Sequence, residues 1–179
     1  MVLEATMRCS YIDALEATDI LRFLREFQPR VAGTPPLGVD IETSDIDILC
    51  HAPDPYRFCE TLWEIFEAQD AFKIWQWTGE GRAVLASFRA HGWEFEIFGG
   101  PEPVERQRGW RHFEVERRLL LLGGLGFRDA VRFQRQSGIK TEPAFWIVLG
   151  QDGDPYQELL GLYDATDQDL LRVLARAGY

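Results

Sequence analysis

The chain has 179 residues and a mass of 20.6 kDa, enough for one domain that buries a sizeable core without disulfide staples. A hydrophobic content of 46%, with 12 Phe, 6 Trp and 5 Tyr, excludes disorder as the global state. Its 29 acidic and 19 basic side chains give a formal charge of −10, which repels phosphate backbones at long range and disfavours a nucleic-acid partner.

Residues 11–27 place Leu15, Ile20, Leu21, Phe23, Leu24 and Phe27 at near-helical spacing, and Pro29 ends that predicted helix. Residues 30–34 read as a short strand, and Pro35-Pro36-Leu37-Gly38 as a turn or loop. Over 45–51, Ile46, Ile48 and Cys50 alternate with Asp45, Asp47 and Leu49, which predicts a strand carrying two carboxylates on one face. Asp54 and Pro55 suit an N-cap and a first helical position, opening a helix to about residue 69. Strands are predicted over 71–77, 82–89 and 93–98, with turns at 78–81 and 90–92. From Val104 onward the pattern is helical, with breaks near Gly123-Gly124, Ser137-Gly138, 150–154 and Ala165. The order predicts an α+β fold: a small mixed or antiparallel sheet with flanking helices and a helical C-terminal part. A single domain over 1–179 is expected, with a sheet-containing core at 1–103 and helices from 104 packed on it.

No apolar run approaches the ~18 residues of a membrane span, so no membrane partner is expected. No basic stretch followed by an apolar run marks a leader, and three cysteines without a paired framework suit a reducing compartment. A cytoplasmic setting is the expectation. Nine of the nineteen cations fall between residues 106 and 140, so a local basic surface is compatible with the acidic whole.

The chemistry concentrates at Asp45-Ile46-Asp47-Ile48. Residues two apart on a strand project to the same side, which sets two carboxylates a few ångströms apart. Like charges about 4 Å apart at an effective dielectric of ~20 repel by roughly 4 kcal/mol. Protonation, a cation partner or a divalent metal relieves this, and hard oxygen donors favour Mg²⁺ or Mn²⁺. A solvated face of an edge strand is the plain alternative for an isolated Asp-x-Asp. Two further segments favour the metal. Gly33-Thr34 ends a strand at a turn, where backbone N–H groups and a hydroxyl suit phosphate oxygens. In Trp93-Glu94-Phe95-Glu96-Ile97-Phe98, the two glutamates share the face opposite the apolar residues, so Glu96, with Glu94 as the alternative, supplies a third acid.

The segment Gly33-Thr34-(x10)-Asp45-Ile46-Asp47-Ile48 resembles the signature of the nucleotidyltransferase-fold, DNA polymerase β-like superfamily. Together with 95–99, Arg111-His112, 138–145 and 153–156, it also resembles an uncharacterised bacterial family close to the GrpB-like proteins. The resemblance implies that Asp45 and Asp47 hold Mg²⁺ or Mn²⁺ against an NTP substrate. It implies that Glu96 positions or activates an acceptor hydroxyl, and that Gly33 and Thr34 meet the phosphates, with Arg111 and Lys140 as further nucleotide contacts. The activity implied is transfer of a nucleoside monophosphate to a protein or small-molecule hydroxyl. The alternative is a nucleotide- or metal-binding interaction protein, or one half of a toxin–antitoxin pair. Thr34 stands where Ser is usual, Glu96 where Asp is common, and Pro35-Pro36 stiffens a loop that is often Gly- and Arg-rich.

The other polar signals read structurally. His112 reads as a surface or supporting residue, Glu142 as the acidic start of a helix, and Cys9, Cys50 and Cys59 as packing thiols. Trp75 and Trp77 read as core or cleft wall, and Gly123-Gly124 as a helix break.

Overall fold

The computed structural model describes residues 8–179; the reading of a leader falls on residues outside this range. In chain order the elements are α1 (Tyr11–Thr18), α2 (Ile20–Phe23), β1 (Arg30–Ala32), α3 (Thr34–Leu37), β2 (Ile46–His51) and α4 (Pro55–Phe66). They continue with β3 (Asp70–Gln76), β4 (Val84–Ala90), β5 (Trp93–Gly100), α5 (Arg108–Gln136), α6 (Thr141–Val148), α7 (Pro155–Gly161) and α8 (Asp167–Arg176). The fold is α+β, with a five-stranded mixed sheet in the order β1-β2-β5-β4-β3. Strands β2 and β5 run parallel, while β4 pairs antiparallel with both β5 and β3.

The chain forms two compact units. Among the described residues the first comprises 8–31 and Asp45–Val104; the second comprises Ala32–Ser44 and Glu105–Tyr179. In the first, period-two alternation sends Ile46, Ile48 and Cys50 of β2 and Trp93, Phe95 and Ile97 of β5 into one core. Helices α1, α2 and α4 meet them with Ala14, Ile20, Phe58, Leu62 and Phe66. Phe66, Phe88 and Phe95 stack in sequence, each neighbouring pair of ring centroids 4.9 Å apart. Full burial of one such ring is worth about 1.5–3 kcal/mol. Helix α4 sits so close to the sheet that a Cβ at Gly99 would lie 2.1 Å from the Phe58 ring. Its N-terminus is capped by Asp54, whose carboxylate accepts the N–H groups of Tyr56 and Arg57.

The single helix expected over 11–27 is broken. Asp19 adopts a left-handed conformation (φ 53°), one that Asp tolerates better than most residues, and it separates α1 from α2. The apolar stripe survives the break only in part: Ile20 and Leu24 are buried, but Phe23 is 41% exposed. The β4–β5 turn uses His91 and Gly92, both at positive φ, as a two-residue hairpin needs.

In the second unit, α6, α7 and α8 pack on the 29-residue α5, which bends at Gly124 (φ 69°). Phe127 sits edge-on to Phe145 and to Tyr179, and Leu159, Leu170 and Leu174 complete this core. Arg118 closes the α7–α8 connection by donating to the carbonyls of Tyr163 and Ala165 and to Asp167. The breaks at Ser137-Gly138, 150–154 and Ala165 fall between helices, where the sequence puts them. The expected 35–38 loop is instead one helical turn, α3. Its two prolines at the first positions suit a helix start, and Gly33 and Gly38 reverse the chain on either side. Among the described residues no helix is long and apolar enough to cross a membrane.

Candidate functional site

The parallel pairing of β2 and β5 sets Asp47 directly opposite Glu96. Because Ile46, Ile48, Phe95 and Ile97 all enter the core, Asp47 and Glu96 stand on the other face of the sheet. Asp45, just before β2, joins them, and one carboxylate oxygen from each of the three lies within 4.8 Å of the others. Asp45 and Asp47 are half-buried, whereas Glu96 is more exposed. Partial removal from water raises the Glu96 pKa above the usual carboxylate range, and the charges of Asp45 and Glu94 push it further in the same direction. Glu94 lies outside the trio: it faces Arg89 across the hairpin, 3.9 Å from its guanidinium. Three hard oxygen donors at this spacing fit Mg²⁺ or Mn²⁺, which take carboxylates and retain water.

Gly33 and Thr34 belong to the second unit. Gly33 has φ 77° and ψ −166°, a backbone that residues with a Cβ adopt only at a cost. Thr34 is buried, and its hydroxyl donates to Ser44 Oγ (2.9 Å), which in turn accepts the Ile41 N–H (3.0 Å). Prolines have no N–H, so within 33–36 the backbone donors are those of Gly33 and Thr34 alone. Arg111, on α5, holds its guanidinium 4.4 Å from the Tyr163 ring centroid and 3.6 Å from Asp164. Lys140 is exposed at the N-cap of α6.

Two sequence readings change. His112 is not a surface residue: it is only 9% exposed, and its Nδ1 is buried without a hydrogen-bond partner. Burial lowers its pKa; the Glu142 charge opposes the shift, and Arg108 and Arg111 add to it. His112 and Glu116 are four residues apart on α5, so they share a helix face, and Glu142 opens α6 beside them. One ligand atom from each of the three lies within 4.8 Å of the others. The His-x-x-x-Glu spacing was the available signal, but nothing local to it announced Glu142. Of the core or cleft-wall reading of Trp75 and Trp77, the core half fails, since they are 42% and 50% exposed; β3 is an edge strand, and Trp77 packs T-shaped with Phe98. Cys50 is a packing thiol, pushed far above the ordinary cysteine range by burial.

The architecture recurs in solved structures. The GLD-2/RNP-8 complex contains a chain that matches with a TM-score of 0.54 at 11% identity, over 89% of this chain and 74% of that one. A structure of Cid1, titled for its RNA terminal uridylyl transferase activity, matches with a TM-score of 0.51 at 11% identity. That match covers 80% of this chain and 45% of Cid1, so the present chain spans less than half of it. The fold is therefore shared with the chains of these two structures. Within it, the chain belongs to the family described as a domain of unknown function, DUF4269, whose profile matches residues 13–162. Among curated proteins nothing matches the sequence.

Proposed function

We propose that this chain moves a nucleoside monophosphate from an NTP to a hydroxyl acceptor. The observation that carries the proposal is the convergence of Asp45, Asp47 and Glu96 on one face of a nucleotidyltransferase-type sheet. These residues would hold Mg²⁺ or Mn²⁺, which when bound neutralises triphosphate charge and favours departure of pyrophosphate. Asp47 within β2 and Asp45 just before it would hold that ion, whose charge would help present the α-phosphorus for in-line attack. Glu96, less acidic than an ordinary carboxylate, accepts the proton of the acceptor hydroxyl as its oxygen bonds to phosphorus. The resemblance offers Gly33, Thr34, Arg111 and Lys140 as further contacts for phosphate oxygens, through backbone N–H groups and side-chain charge.

The charge of −10 favours a protein or small-molecule acceptor over a nucleic acid. A second reading, an RNA hydroxyl, draws on the likeness to Cid1 and on the nine cations at 106–140. Cys9, Cys50 and Cys59, none in a disulfide, support a reducing, cytoplasmic setting, and kinship with the GrpB-like proteins forms part of the same proposal. A nucleotide-binding interaction protein, such as one half of a toxin–antitoxin pair, is the non-enzymatic rival.

The test is incubation with each α-labelled NTP, Mg²⁺ or Mn²⁺, and a cell extract separated into protein, small-molecule and RNA fractions. Label in the protein or small-molecule fraction, lost with Asp45→Asn, is the expected result, and label in RNA selects the second reading. NTP binding without transfer to any fraction overturns the enzymatic proposal in favour of the rival.

A further inference from the structure

The cluster on α5 and α6 is independent of the carboxylates on the sheet. One imidazole nitrogen of His112 and one oxygen each of Glu116 and Glu142 lie within 4.8 Å of one another. Metal–ligand bonds of roughly 2.0–2.2 Å put neighbouring ligand atoms about 3–4 Å apart, so small side-chain rotations close this group around an ion. His112 and Glu116 are buried and Glu142 is half-buried, which leaves the Glu142 side as the approach. Two carboxylates gathered beside a buried ring repel each other strongly unless a proton or cation lies between them.

The unmet Nδ1 is a second and separate sign, because a buried ring nitrogen without a partner forfeits a hydrogen bond it would make in water. A bound ion would account for the gathered donor atoms and the unmet ring nitrogen together.

We propose that His112, Glu116 and Glu142 form a second metal site, one that takes a divalent transition ion of the Zn²⁺ type and ties the start of α6 to α5. One imidazole and two carboxylates suit Zn²⁺, Fe²⁺ or Mn²⁺ better than Mg²⁺, which prefers an all-oxygen and partly hydrated shell. The helix spacing holds two ligands in register, and the third comes from the next helix, so binding stabilises the helical unit directly. The role is structural and does not rest on nucleotidyl transfer.

The test uses the full chain, stripped with EDTA and titrated with Zn²⁺ alone. To silence the sheet carboxylates, the titration is repeated on the Asp45→Asn/Glu96→Gln double variant. That variant is expected to bind one equivalent of Zn²⁺ and to melt several degrees higher with it, whereas Mg²⁺ at equal concentration has no such effect. Loss of even a neighbouring partner of a metal ligand costs about 10–100-fold in affinity. Glu142→Gln, the mildest change at the most accessible ligand, should therefore weaken Zn²⁺ at least about tenfold, and His112→Gln should do so as well. X-ray absorption of the Zn²⁺-loaded double variant reads the site without altering these ligands and should show imidazole scattering in the metal's first shell. Absence of Zn²⁺ uptake by the double variant, an all-oxygen shell, or an affinity unchanged by Glu142→Gln overturns the proposal. None of these results bears on whether label moves from an NTP.

Discussion

Glu96→Gln is the sharpest probe of the sheet carboxylates, because it keeps the side-chain shape and removes one charge of three. At the outer limit of 4.8 Å, two unit charges repel by about 0.9 kcal/mol in bulk water and by about 3.5 kcal/mol at an effective dielectric of ~20. Glu96 is exposed, so the water-like value applies more closely. The substitution removes two such pairs, with Asp45 and with Asp47. The metal-free variant should therefore be more stable than the parent by about 1–2 kcal/mol, which in a chain of this size raises the melting midpoint by about 2–8 °C. The sign of the pH dependence follows from the raised Glu96 pKa. The folded parent carries the full penalty above that raised value and none below the ordinary value near 4.5. The variant's advantage is therefore largest at neutral pH and fades as pH falls through this window. With Mg²⁺ and NTP at about 100 times their dissociation constant, the parent gains about 2.7 kcal/mol and the variant less, so the order reverses. Thermal melts in EDTA at pH 7 and pH 4, and in Mg²⁺ with NTP at pH 7, check each step. A variant less stable than the parent in EDTA at pH 7, or a parent whose midpoint ignores Mg²⁺ with NTP, refutes the reasoning.

Gly99→Ala should cost at least about 1–3 kcal/mol by forcing the new methyl into the Phe58 ring, visible as a lowered urea midpoint of the first unit. Gly33→Ala should cost about 1–3 kcal/mol from its φ of 77° alone, so chemical denaturation must accompany any nucleotide-binding assay of this position. Thr34→Val removes the hydroxyl that donates to Ser44 and should cost about 1–2 kcal/mol by the same denaturation assay, with a larger loss pointing to collapse of the 41–44 turn.

Legibility followed range. The acid-bearing strand, the Asp54 cap and the glycine breaks were readable because each depends on neighbours within a few residues. Asp45 and Asp47 were readable as a pair for the same reason, since a strand's two-residue period is local. The register that sets Asp47 opposite Glu96 is a long-range fact, and the sequence preferred Glu96 but kept Glu94 as its alternative. Arg89 separates them: it sits across from Glu94 in the hairpin and leaves Glu96 to the aspartates. The break at Asp19 was hidden because the apolar spacing of 11–27 hardly changes when one residue turns left-handed. The burial of His112 was hidden for the opposite reason. Its own helix neighbours Arg108, Arg111 and Arg117 are charged, and the element that covers it, α6, begins 29 residues further on.

The two carboxylate groups differ in the way their chemistry would require. Asp45, Asp47 and Glu96 offer only oxygen and stand on an open sheet face, where an ion can keep water and exchange with substrate oxygens. A catalytic ion needs both properties, because its shell must change as pyrophosphate forms. His112, Glu116 and Glu142 instead combine a ring nitrogen with two oxygens, largely out of water and on helices that enclose a core. An ion there exchanges slowly and acts by holding elements together, as structural zinc does. Chelation should therefore separate the two. Brief EDTA treatment strips the sheet site and halts any transfer that added Mg²⁺ restores. Prolonged treatment also empties the helical site and lowers the melting midpoint, which Zn²⁺ restores and Mg²⁺ does not. If Mg²⁺ alone restores both properties after prolonged chelation, the division of labour between the two groups is wrong.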